Sequence, residues 1–172
     1  MSPVRNSKNF KTRLVRKKIS NGVRLKYLTI SPSQTKKLGE ILAREILKTR
    51  SGKTAFVIGL EGDLGGGKTT FLQGFAKGLG IKEKILSPTF IIMRKFSIFN
   101  SQFSNFFHVD CYRIKKPKEI LNLGFKEIIS EPKNIIAIEW ADKIQKIMPK
   151  DAFWIKFEFI NKNKRKISIK WR

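Results

Sequence analysis

Residues 62–69, Gly62-Asp63-Leu64-Gly65-Gly66-Gly67-Lys68-Thr69, satisfy the pattern G-x-x-x-x-G-K-[ST] at every fixed position. The flanks suit it. Upstream, residues 54–60 (TAFVIGL) form a short apolar, β-branched run of the kind that builds a buried strand. Downstream, Phe71, Leu72, Phe75, Ala76 and Leu79 recur at helical spacing, with Gly78 and Gly80 as stop signals. A loop between a strand end and a helix start aims backbone N–H groups and the positive helix end at a polyphosphate. Asp63, Leu64, Gly65, Gly66, Gly67, Lys68, Thr69 and Thr70 are therefore the expected nucleotide-contacting residues, with Lys68 reaching the β/γ-phosphates and the Thr69 hydroxyl holding Mg²⁺. With glycine near its usual frequency, a chance match in one chain is on the order of one in a hundred.

Around this centre the chain predicts an α/β fold: a P-loop NTPase-like, mainly parallel central sheet flanked by helices, with antiparallel hairpin additions. Arg24 to Ile30 alternates like a strand, and Ser31-Pro32-Ser33-Gln34 opens a helix, with Ser31 as N-cap, Pro32 in the first turn and Gln34 completing a capping box. Leu38, Ile41, Leu42 and Ile46 give that helix its buried stripe, and Gly52 is its expected stop. Beyond Ser87-Pro88, strands are expected over Phe90 to Phe99 and Asn105 to Tyr112, joined as a hairpin. Short helices over 117–123 and 125–129 precede an apolar strand, Asn134 to Ile138, that ends at Glu139-Trp140. A brief helix over 142–148 leads to a final hairpin of 153–160 with 165–171.

An acid at the tip of an apolar strand is where such folds keep the group that positions a metal and its water, and Glu139 fits that description. On the strand before it, Phe107, Val109 and Cys111 alternate with His108, Asp110 and Tyr112, so Asp110 lies on a polar face where it would bind the metal shell, orient a water or accept a proton. His108, the only histidine, suits either a structural or a chemical role. Arg113 suits either a phosphate or partner contact or a surface ion pair. Thr89, after Pro88, is placed like a switch residue that senses a γ-phosphate, or is a simple turn residue. Trp140 either stacks on a base or partner or packs in the core.

Charge narrows the partners. The 172 residues carry 37 Lys+Arg against 13 Asp+Glu, a net +24. Nine of those cations and no acid fall within residues 1–26; subtracting nine from 37 leaves 28 against 13, still +15 for the rest. A basic body suits a polyanion such as RNA, although scattered lysines also decorate ordinary solvated surfaces. Residues 1–22 read as a basic N-terminal extension, an unstructured arm or a cleaved targeting segment, and residues 23–172 as the nucleotide-binding domain. No apolar run approaches the ~20 residues that span a bilayer, so no membrane partner is expected. A lone Cys111 excludes an internal disulfide framework and accords with a reducing, cytoplasmic location.

The loop (residues 62–71), Ser87-Pro88-Thr89-Phe90, His108-Val109-Asp110-Cys111-Tyr112-Arg113 and Ile138-Glu139-Trp140, in this order, resemble the TsaE (YjeE) family, the small ATPase of bacterial tRNA threonylcarbamoyladenosine synthesis. The resemblance covers about residues 28–150. It implies an ATPase that is slow alone and acts with the TsaB–TsaD pair, which modifies tRNA beside the anticodon. It also implies that Lys68 and Thr69 bind ATP and Mg²⁺, that Glu139 contributes to Mg²⁺ binding, that Asp110 supports hydrolysis and that Thr89 belongs to a switch-like segment. Gly66 replaces the family's usual alanine and Cys111 its usual leucine, both tolerable changes; residues 1–22 lie outside the pattern. Two other functions use the same loop. One is a nucleotide-gated RNA or partner adaptor in which hydrolysis is incidental. The other is a small-molecule kinase, for which no lid segment is recognisable.

Overall fold

In the computed structural model the elements run β1 (Arg24–Thr29), α1 (Pro32–Leu47), β2 (Phe56–Gly62), α2 (Lys68–Gly78), β3 (Met93–Ser97), β4 (Asn105–Asp110), α3 (Pro117–Leu121), α4 (Phe125–Ser130), β5 (Asn134–Glu139), a 3-10 helix (Ala141–Ile147), β6 (Phe153–Phe159) and β7 (Arg165–Trp171). It describes residues 24–49, 51–88 and 90–171; the basic stretch 1–22 and the expected switch residue Thr89 lie outside the described residues.

The strands form one sheet in the order β1-β7-β6-β2-β5-β4-β3. Its centre is parallel, β2 pairing with both β5 and β6 and β5 with β4. The antiparallel pairs lie outside it: β3 on β4, β7 on β6 and β1 on β7. A parallel centre must be covered on both faces, and β5 is buried along its whole length. Ile135 and Ala137 point into a core shared with Leu38, Leu42 and Ile46 of α1 and Phe71, Leu72 and Phe75 of α2. Ile136 and Ile138 point into a second core with Ile120 of α3, Phe125 of α4 and Ile144 of the 3-10 helix. Period-2 alternation thus assigns Glu139, at the end of β5, to the α2 side of the sheet.

Several local expectations shift. Ser31 caps α1, its hydroxyl accepting from Gln34 N at 3.2 Å, but the Gln34 side chain accepts from Ile30 N at 3.0 Å, one residue upstream of a regular capping box. α1 ends at Leu47 rather than at Gly52, because Lys48 N and Thr49 N already donate to Glu45 O and Ile46 O. Gly80 (φ 83°) does stop α2: Ile81 N donates to Ala76 O and Gly80 N to Lys77 O, the crossed bonds of a Schellman ending. Gly78 instead serves packing, since a Cβ there would stand 2.5 Å from Glu40 O of α1. The strand expected over Phe90 to Phe99 shortens to Met93–Ser97, because Ile91 N and Ile92 N both fold back to Pro88 O and Ile92 sits at φ 63°, which interrupts extension. β4 stops at Asp110, where the carboxylate captures Tyr112 N at 2.8 Å and turns the chain.

Candidate nucleotide site

The loop after β2 is shaped by backbone that only glycine adopts freely. Gly65 and Gly67 have φ of 73° and 97°. Gly67 is also the N-cap of α2 and supplies no side chain, so the first N–H groups of an 11-residue helix stay open to an anion. Lys68, the first residue of α2, is buried. Its ammonium donates to Asp63 O at 2.8 Å and to Gly62 O, and lies 3.8 Å from the centre of the Trp140 ring. Burial holds its pKa below the ordinary 10.5, opposed by the carboxylates of Glu139, Asp142, Asp110 and Asp63. A cation held on its own loop's carbonyls in a partly dry site is poised for a phosphate.

One turn face further, the Thr69 hydroxyl lies 2.9 and 3.0 Å from the two carboxylate oxygens of Glu139. Strand register brings Glu139 opposite Asp110. Behind them, fully buried His108 contacts Glu139 Oε1 through Nε2 at 2.9 Å, while its Nδ1 has no hydrogen-bond partner. In that arrangement Nε2 is the ring nitrogen placed to donate to the carboxylate, and Nδ1 faces no acceptor among the described residues. Asp110 is held at both oxygens, by the Ser87 hydroxyl and by Tyr112 N. Both carboxylates are buried.

These groups open into a cleft of about 480 Å³. Leu64, Gly65, Gly66, Gly67, Lys68, Thr69, Thr70, Asp110 and Glu139 line it. Asp63 contributes its carbonyl to Lys68 while its side chain is exposed. Trp140 both lines the cleft and packs against the second core. Arg113 forms no ion pair among the described residues; its guanidinium lies 4.3 Å from the centre of the Phe90 ring. The sequence reading missed two walls. The N-cap Ser31 with Pro32 and Thr35 of α1 forms one, and Lys162 and Asn163 of the β6–β7 turn with Arg165, the first residue of β7, form the other. Arg165 Nε donates to Gly65 O at 3.1 Å across 100 residues of chain, a contact that carries no local sequence signal.

The donor set suits a hard divalent cation such as Mg²⁺: one hydroxyl and one carboxylate beside an anion cradle. Among the described residues no three His, Cys, Asp or Glu side chains converge on a metal position, so a cation here would take its remaining ligands from phosphate and water, as Mg²⁺ commonly does.

Fold and site together define an α/β protein of the P-loop NTPase-like class. Comparison with known proteins narrows the class. Residues 29–167 match the family model "Threonylcarbamoyl adenosine biosynthesis protein TsaE". The chain is 34% identical over 145 residues to the tRNA threonylcarbamoyladenosine biosynthesis protein TsaE of Bacillus subtilis, covering 84% of each, and 36% identical over 139 residues to that of Rickettsia felis, covering 79% of this chain and 74% of the relative. Its fold is similar to the crystal structure of Bacillus subtilis YdiB, with a TM-score of 0.68 and 29% identity over 87% of this chain and 86% of that one. The chain belongs to the TsaE family of threonylcarbamoyladenosine biosynthesis proteins.

Proposed function

We propose that this protein is the ATP-binding, ATP-hydrolysing component of tRNA threonylcarbamoyladenosine synthesis, acting in the cytoplasm with the TsaB–TsaD complex. The observation that carries the reading is the Thr69 hydroxyl within hydrogen-bonding distance of both Glu139 oxygens, one residue from a buried Lys68 on the same loop. No described helix is long and apolar enough to cross a membrane.

In this reading the open N–H groups of α2 and the glycine loop bind the phosphate chain of ATP, and Lys68 leaves the loop carbonyls for the terminal phosphates. Thr69 and Glu139 would hold Mg²⁺, which when bound would neutralise the negative charge that develops on the phosphate oxygens. His108 orients Glu139 from behind. Asp110, fixed by Ser87 and Tyr112, orients the attacking water and accepts its proton as the oxygen bonds to the γ-phosphorus and the bond to the β–γ bridging oxygen breaks, releasing ADP and phosphate. Thr89 senses the γ-phosphate from the segment beside Ser87.

The test is phosphate release from Mg-ATP by the purified protein, alone and with the TsaB–TsaD pair. Stimulation by the pair, lost in Lys68→Ala, is the expected result. ATP binding with no stimulation would refute the partnership, and Lys68→Ala supporting tRNA modification at the normal rate would refute the role of nucleotide.

A further inference from the structure

Away from the nucleotide cleft, an open groove of about 700 Å³ lies between α1, the end of α2 and the loop of residues 80–85. Lys36, Lys77, Lys82 and Lys84 line it against a single acid, Glu83. Among the described residues Lys36, Lys82 and Lys84 form no ion pair, and Lys77 reaches only Glu40 at 3.8 Å. The groove is held by a close helix contact and a side-chain tie. Gly74 lets α2 touch the main chain of α1 at Lys36, and Gln73 Nε2 donates to Ile85 O at 3.2 Å, tying the loop to α2. On the surrounding face Lys37 and Arg44 of α1 and its C-cap Lys48 are exposed but pair with Glu40 and Glu45 at 3.4, 2.6 and 2.8 Å, so the uncompensated charge lies in the groove itself.

We propose that this groove binds the phosphate backbone of RNA. A protein partner would need a desolvated apolar or aromatic anchor, yet the groove's two isoleucines, Ile81 and Ile85, are both buried and offer none. Phosphodiester recognition needs several flexible cations fixed in relative position and no apolar anchor, which is what four lysines from three elements supply. This site is separate from the proposed ATPase centre and does not depend on it.

The test uses the full chain without nucleotide, in EDTA, and a fluorescent unmodified tRNA transcript titrated at several salt concentrations. A Lys36→Gln, Lys82→Gln, Lys84→Gln triple variant is compared with Lys118→Gln, Lys126→Gln, Lys146→Gln, which removes the same charge from exposed positions on α3, α4 and the 3-10 helix. The groove variant is expected to bind at least about ten-fold more weakly and to lose about 2–3 from the slope of log affinity against log salt, while the control stays near wild type. Equal losses in the two variants, or no RNA binding by the wild type, would overturn the proposal; so would a poly-glutamate competitor displacing RNA at equal charge concentration. Acetylation footprinting of the wild type is a check without substitutions: RNA should protect Lys36, Lys82 and Lys84 but not Lys118, Lys126 and Lys146, and uniform protection would count against the groove.

Discussion

Replacing Gly74 with alanine sets two physical effects against each other. By helix propensity, alanine in the interior of α2 should stabilise by about 1 kcal/mol. Packing opposes this. A Cβ built on Gly74 lies 1.8 Å from Lys36 O, 2.5 Å from Lys36 C and 2.6 Å from Lys36 Cα. All three atoms are main chain, so no rotamer change relieves the overlap. Restoring a contact of about 3.2 Å requires α1 to retreat by roughly 1.4 Å, which loosens Leu38, Leu42 and Ile46 from Phe71 and Phe75 across the core. Overpacking of this kind costs about 1–3 kcal/mol and sometimes more, and a purely backbone clash belongs at the upper end. The expected net destabilisation is about 2–3 kcal/mol, a fall in Tm of roughly 5–10 °C for a domain of this size. Urea unfolding followed by circular dichroism measures it. Gly52→Ala is the internal control, because its added Cβ would meet nothing closer than 3.8 Å, and it should be neutral or slightly stabilising. Since Ser31, Pro32 and Thr35 carry α1 into the cleft wall, the Gly74 variant should also bind nucleotide more weakly. A Gly74→Ala protein at least as stable as wild type would refute the argument that this helix pair is fixed by main-chain contact.

Lys68→Met should abolish the thermal shift caused by Mg-ATP, which at a ligand concentration of 100 Kd is worth about 2.7 kcal/mol in the wild type. The same variant tests the buried charge: Lys68 binds its proton less tightly folded than unfolded, so its contribution to stability rises with pH between the lowered folded value and 10.5, and denaturation midpoints across that alkaline window should lose this rise in the variant. Asp110→Asn should lower the ATP turnover number about 10²-fold or more while leaving nucleotide affinity within a few-fold, read by phosphate release and calorimetry; unchanged turnover would remove Asp110 from the chemistry. The Cys111 thiol is fully buried, and burial together with the neighbouring Asp110 pushes its pKa up to about 12; it should resist a disulfide reagent in the native protein and react fully in denaturant, and fast native labelling would contradict the packing.

Much of this site was legible as pattern because its chemistry is local. The loop needs glycines at fixed offsets, and Lys68 and Thr69 follow directly as the first turn of α2. Glu139 was legible because an interior strand must be apolar until it leaves the core, so the first acid marks the exit. The polar set His108 and Asp110 showed in the alternation of β4, though not its depth: both are buried against α2's side of the sheet. The differences gathered at element ends, at Ile92, at Asp110 and after Leu47, where one or two hydrogen bonds to a carbonyl or side chain outweigh propensity.

The sequence by itself determined the glycine loop, the lysine and threonine that follow it and the acids at the strand ends, since each depends on residue type at short spacing. Only the tertiary structure decided what surrounds them. Which strand neighbours β2, and therefore which acid meets Thr69, is a matter of sheet order. The cleft walls contributed by Ser31, Thr35 and Arg165 depend on the same order, as does the basic groove assembled from α1, α2 and the 80–85 loop. Contacts such as Arg165 to Gly65 span a hundred residues and are set by the summed burial of two cores, a property of the whole chain that no short stretch encodes.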